Sequence, residues 1–188
     1  MNIAYKMEAL SADRFPEFLA YLNAHLTENG GPETGYFQPQ PRGMAEFPPE
    51  RAAAFERGLG LSVGEPGWRR AWLARSQVDR AILGHIDLRA QAMPFAEHRA
   101  LLGMGVHASA RRQGLGQALI AHARDWSSQQ TGLHWIDLQV LSSNRAALRL
   151  YLNCGFVVCG EREDLFRLEG QSLGETSMSL RLRAAPPR

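Results

Sequence analysis

The stretch Arg111-Arg112-Gln113-Gly114-Leu115-Gly116 sets two cations beside two glycines, just ahead of the helix-like run QALIAHARDW. Glycine weakens a helix by about 1 kcal/mol relative to alanine, so glycines at a helix start mark backbone that has to stay bare. A helix amino terminus offers unpaired N–H groups and the positive end of the helix dipole. With two arginines beside it, the chemistry it fits is the holding of a phosphate. Two nucleotide motifs fail to account for it. The Walker pattern needs a Lys-Ser/Thr pair after its last glycine, which is absent. The dinucleotide fingerprint needs a small residue at position 119, which is leucine, and its acidic partner, Asp137, would fall in the middle of the next strand. His25, His85, His122 and His134 lack metal-ligand spacing such as His-Glu-x-x-His, so no metal is expected.

The elements that must position this stretch can be read from periodicity. Residues 2 to 8 suit a short strand, and SADRFPEFLAYLNAHL has helical spacing in Phe15, Phe18, Leu19, Leu22 and Leu26. From Asn29 to Pro49 the pattern dissolves into a Gly- and Pro-rich connection, either a mobile surface loop or a lid carrying Tyr36 and Phe37 over a pocket. PERAAAFERGL suits a helix. RRAWLARS, RAILGHIDLRA and HRALLGMGVH read as strands, with a turn at Gln77 to Asp79 between the first two. The glycine stretch then opens a helix to about Gln129. HWIDLQVL is a buried strand, NRAALRLYLNC a helix, and GFVVCGERE and SMSLRLR are closing strands. Strands early, then strand and helix in alternation, predict an α/β or α+β domain on a mixed sheet of six to seven strands with about four helices.

Composition bounds what this domain can do. The chain has 188 residues, 45% hydrophobic and 21% charged, the make-up of one globular domain, with no apolar run of membrane-spanning length. A net charge of +2, with both signs interleaved, argues against a nucleic-acid face. The amino terminus mixes Lys6, Glu8 and Asp13 into its apolar residues and lacks the core of a secretory signal, so a cytoplasmic protein is expected. Cys154 and Cys159 are expected to be buried free thiols, since an extended run holds them too far apart to bridge.

VHASARRQGLGQAL resembles the acetyl-coenzyme A signature of the GNAT-superfamily N-acetyltransferases, Gln/Arg-x-x-Gly-x-Gly/Ala. NRAALRLYLNCGF resembles the family's later Asn-x-x-Ala-x-x-Leu-Tyr-x-x-x-Gly-Phe element through Asn144, Ala147, Leu150, Tyr151, Gly155 and Phe156. The resemblance covers about residues 80 to 183 and implies one domain over residues 1 to 188. Residues 1 to 79 would form the acceptor side and residues 80 to 183 the acetyl-CoA-binding core. It implies a twisted, mostly antiparallel sheet in which two parallel strands splay apart to form an acyl-CoA groove. Gly103 and Gly105 are compatible with a bulge and close backbone approach on the splayed strand.

Carried over by position, the resemblance lines the thioester with Met104, Gly105 and Val106 and holds the pyrophosphate on Arg111, Arg112, Gln113, Gly114, Leu115 and Gly116. It places Asn144 on the pantetheine arm and Tyr151 as the acid that protonates the leaving thiolate. Tyr151 also lies three residues after Leu148 on one apolar helix face, where a plain packing residue would sit. The implied reaction is direct attack by an amine on acetyl-CoA, with coenzyme A as product. The family gives the base no fixed position. Glu97 and His98 are the first candidates, and His107 and Asp137 the next.

The acceptor would be a small-molecule amine or a peptide amino terminus, with Trp68, Trp72, Tyr36 and Phe37 as aromatic walls or as core. Glu28, Glu33 and Glu46 lean toward a cationic acceptor. A non-catalytic acyl-CoA sensor is the alternative, against which Tyr151 argues, because a pure binder needs no proton donor there. Neither nucleic acid nor membrane is an expected partner, and the resemblance is compatible with a homodimer.

Overall fold

The computed structural model describes residues 4–32, 34–130 and 132–182; residues 2, 3 and 183 of the expected end strands, and Glu33, lie outside them. The elements are β1 (Tyr5–Ala9), α1 (Phe15–Leu26), α2 (Pro49–Leu59), β2 (Arg69–Ser76), β3 (Ile82–Ala90), β4 (Arg99–Val106), α3 (Leu115–Ser128), β5 (Trp135–Leu141), α4 (Arg145–Asn153), β6 (Val157–Leu168) and β7 (Gln171–Arg181). One seven-stranded sheet runs in the order β1-β2-β3-β4-β5-β7-β6. Every pairing is antiparallel except β4 with β5.

Strand alternation assigns the two faces of this sheet to different helices. Ala71 and Leu73 of β2 pack with Phe15, Phe18 and Leu22 of α1 and Ala52 and Phe55 of α2. Trp72 and Ala74 of the same strand turn the other way, with Ile86, Leu88, Ala100 and Leu102, onto Leu115, Leu119, Ile120 and Ala123 of α3. α1 buries residues at helical spacing, Phe15, Phe18, Leu22 and Leu26, and carries its proline in the first turn, where a missing N–H costs nothing. Each fully buried side chain of the leucine class contributes about 1.5–3 kcal/mol, and the two cores clamp the sheet from both sides.

One open alternative is decided and two expectations change. Trp68 and Trp72 pack in the α3-side core against Trp126, with ring centroids at 6.4 and 5.0 Å, so they cannot wall an acceptor on the α1 side. The closing strands are longer than periodicity suggests. β6 and β7 form one hairpin closed at Glu169 and Gly170, and irregular register at Val158/Gly160 and Arg162/Phe166 breaks the alternation that would have revealed it. Cys159 is exposed because β6 is an edge strand with little packed on it, and Cys154, at the C-terminal cap of α4, is half-buried against the α3-side core.

The long connection after α1 is fastened. Asn29, nearly fully buried, donates from Nδ2 to the carbonyls of Gln38 (3.2 Å) and Gln40 (2.9 Å), and its Oδ1 accepts from the N–H groups of Phe37 (2.9 Å) and Gln38 (3.0 Å). Tyr36 is buried against Leu141, Leu168 and Leu173, and Phe37 packs on His25 at 5.0 Å.

Candidate active site

β4 and β5 pair only at Arg99 with Trp135, Ala100 with Ile136 and Leu101 with Asp137. Beyond Leu101 the parallel strands part, while β4 stays in unbroken register with β3 as far as Gly84 and Val106. The expected bulge at Gly103 and Gly105 is therefore not there. The glycines have another cause: a Cβ on Gly103 would collide with the Asp87 carboxylate, and one on Gly105 would sit 2.7 Å from His85 Cε1 and 2.9 Å from His25 Nε2. The N–H of His107 bonds to the Leu83 carbonyl, so strand alternation turns the N–H groups of Met104 and Val106 toward the parted, β5 side.

At the end of β4 the chain makes one 3-10 turn, Ala108–Ala110, and enters α3 through Gly114, whose φ of +81° is the left-handed conformation that glycine adopts without penalty. A Cβ on Gly114 would meet nothing within 4 Å, so the space above this backbone is open. The first helical bond is Ala118 N–H to the Gly114 carbonyl at 3.1 Å, which leaves the N–H groups of Leu115, Gly116 and Gln117 at the unpaired helix end. Gly116 is set by packing, its Cβ direction ending 2.8 Å from Leu150 Cδ2 of α4. These residues fit a phosphate-bearing ligand by the bare backbone and the open space over it.

The two arginines differ. Arg111 is held inward, with Nε donating to the Val106 carbonyl (3.0 Å) and a terminal nitrogen paired with Glu28 at 2.5 Å. It braces the end of β4 against the segment after α1. Arg112 is exposed, and Gln113 bonds back to the Ser109 carbonyl at 2.8 Å.

α4 brings the second motif to the same end of the sheet. Asn144 caps it, its Oδ1 accepting from Ala147 N–H at 3.1 Å, and lines a cleft of about 470 Å3 with Tyr36, Arg42 and Leu173. Tyr151 is buried edge-on to Phe156 at 5.7 Å. Burial pushes its phenol up, and it is protonated at neutral pH.

Glu97 and His98 are not brought to this end. They line a separate cleft with Gln130 and Leu133 at the beginning of β4, roughly 20 Å of extended strand from Gly105. Asp137 is taken up by Arg99, Gln91 and Ser179, which together hold its carboxyl low against the opposing effect of burial. His107 Nδ1 is engaged by Ser109.

A cluster not singled out from the sequence stands over Gly105. Tyr21 and His25 of α1 stack at 6.0 Å, and Tyr21 Oη lies 3.3 Å from His85 Nδ1 of β3. Burial lowers His25 to about 4 and His85 to about 3, so both are neutral at pH 7. The sequence signals were the i,i+4 spacing of Tyr21 and His25, and the alternation of His85 and Asp87 with Ile86 and Leu88, which face the other core. Among the described residues, no group of three or more His, Cys, Asp or Glu could hold a metal ion, and no helix is long and apolar enough to cross a membrane.

A family model described as acetyltransferase (GNAT) family matches residues 38–156. Mycothiol acetyltransferase of Thermomonospora curvata is 32% identical over 133 residues, 69% of this chain and 42% of that protein, so the chain spans less than half the length of this relative. The yncA protein of Salmonella typhimurium, solved with its cofactor acetyl-CoA, superposes with a TM-score of 0.75 at 16% identity, over 98% of each chain. Spermidine N-acetyltransferase of Vibrio cholerae, in complex with CoA and spermine, superposes with 0.70 at 19% identity, over 95% of each. These two likenesses are likenesses of fold.

Proposed function

We propose, from the premise that this chain belongs to the GNAT acetyltransferase family, that it transfers an acetyl group from acetyl-CoA to a primary amine of a small molecule or a peptide amino terminus. The observation that carries the reading is the parting of β4 from β5 beyond Leu101, at the end of the sheet where α3 and α4 begin. Backbone at Gly114, Leu115 and Gly116 holds the pyrophosphate of the donor substrate, with Arg112 adding charge from the surface, while Arg111 and Gln113 shape the loop. Asn144 offers the NH2 end of its carboxamide to the pantetheine arm, its oxygen being used by the helix cap.

The thioester lies against Met104, Gly105 and Val106. The N–H groups of Met104 and Val106 face the side on which negative charge grows on the carbonyl oxygen, and a fixed donor there is among the larger contributions an enzyme makes to acyl transfer. Tyr151, kept protonated by burial, gives its proton to the departing thiolate.

Acceptors approach from the α1 side, over the aromatic and imidazole side chains above Gly105. The test is calorimetric binding of coenzyme A together with acetyl-CoA-dependent thiol release across amino acids, polyamines, aminoglycosides and short peptides. Micromolar binding and release with one acceptor class are expected. Absence of coenzyme A binding overturns the reading, and binding without release from any amine points to an acyl-CoA sensor.

A further inference from the structure

We propose that His25 is the base that takes the proton from the acceptor nitrogen, an assignment that rests on the acetyl-transfer reading above. His25 Nε2 points at Gly105, on the part of β4 that β5 has left, and the strand has given up a side chain to admit the ring. Replacing this glycine by any other residue would drive a methyl-sized group into both imidazoles. Such an arrangement specifies where the ring edge must be, which is what proton transfer requires.

The surroundings suit the task. Tyr21 stacks on the His25 ring from one turn earlier in α1, and Phe37 closes on it from the loop at 5.0 Å. His85 meets it edge-on from β3 at 6.4 Å. The charged and titratable groups that act on it are Glu28 just after α1, which favours its protonation, and Arg111 and His107 beyond β4, which oppose it. Burial outweighs these, so the ring carries a lone pair at pH 7. His25 Nδ1 is buried with no hydrogen-bond partner among the described residues. Native interiors rarely leave such an atom unpaired, and active sites are one place where they do. His85, bonded to Tyr21, is a positioning residue: it fixes the slot in which the His25 ring stands.

The step balances. His25 Nε2 takes one proton from the bound ammonium and so frees the nitrogen lone pair; the nitrogen bonds to the carbonyl carbon as the carbon–sulfur bond breaks, Tyr151 gives its proton to the sulfur, and the second proton that the nitrogen sheds returns to the Tyr151 oxygen. His25 passes its proton to water after the products leave, which is the one proton the reaction releases, and an acceptor that arrives neutral does not need the first transfer.

The experiment compares thiol release from acetyl-CoA with two small acceptors, methylamine, which is protonated at pH 7, and methoxyamine, which is already neutral. In full-length His25→Gln, methylamine turnover should fall roughly 100-fold, methoxyamine turnover should fall only a few-fold, and coenzyme A affinity should be retained. Equal losses with both amines, or no loss with either, overturn the assignment. His25→Asn, with a smaller side chain, is run alongside, and nitrogen-15 NMR of the wild-type imidazoles needs no variant. A His25 ring protonated at pH 7 overturns the proposal, since it has no lone pair to offer. Wild-type protein that binds no coenzyme A overturns the acetyl-transfer reading itself; wild-type turnover left intact in both variants overturns only the role of His25.

Discussion

The Tyr36 hydroxyl donates to Glu169 Oε2 at 2.5 Å, joining the long connection after α1 to the turn between β6 and β7. Glu169 Oε1 accepts from the Arg42 N–H at 2.8 Å, so one carboxylate holds the segment at two points. Glu169→Ala should speed amide hydrogen exchange at Gly35, Phe37 and Gln38 while leaving α3 unchanged. Unaltered exchange at Phe37 would mean that Asn29 alone fixes the segment.

Tyr151→Phe removes one oxygen from a buried ring and leaves its packing against Phe156 in place. Turnover should drop by roughly 100-fold or more, with coenzyme A affinity kept within a factor of two or so. Steady-state kinetics with parallel calorimetry measure both, and matched losses would make Tyr151 a packing residue.

Gly114→Val places a branched side chain on left-handed backbone, over the open space at the start of α3. Backbone strain should cost about 1–2 kcal/mol in denaturant unfolding, and coenzyme A binding should be lost. Retained binding would remove the pyrophosphate from this loop.

Asp137→Asn leaves Arg99 facing a neutral amide where it now makes two bonds to a carboxylate. Stability should fall by about 1.5–3 kcal/mol. Because the folded carboxyl is held low, its contribution is present above the unfolded carboxylate pKa and fades as pH drops through the folded value, so wild type and variant should converge in acid. Thermal melts from pH 7 to pH 3 test this.

His85 is buried neutral beside Tyr21 and His25, with its folded pKa lowered to about 3 from 6.5. The unfolded chain binds the proton more readily, so stability should be full above about pH 6.5 and decline steadily toward pH 3. His85→Gln should flatten that decline in melts over this range; an unchanged slope would place the acid sensitivity elsewhere.

Much of this architecture was legible from periodicity. Phe15, Phe18, Leu22 and Leu26 announce α1, and the glycines at 114 and 116 announce the start of α3 where it is found. What stayed hidden depends on residues far apart in the chain. Gly105 looks like backbone freedom in the sequence, yet it is set by His25, 80 positions earlier, and His85, 20 earlier. Glu97 and His98 look close to the splayed strand because they precede it, but a strand is long, and adjacency to its first residue puts them at its far end. Arg111 reads as a phosphate ligand beside Arg112 until Glu28 and the Val106 carbonyl claim it.

The three-residue pairing between β4 and β5 leaves β4 almost wholly dependent on β3 for its alignment during folding. A slip of one residue would swing Met104 or Val106 into the volume filled by the two imidazoles and turn the glycines toward α3, opening holes in its core. The histidine pair and the glycine beneath it therefore form a lock and key for strand alignment, one that rejects misaligned chains before any ligand arrives. The same atoms that would handle a proton in the finished protein police how the chain is put together.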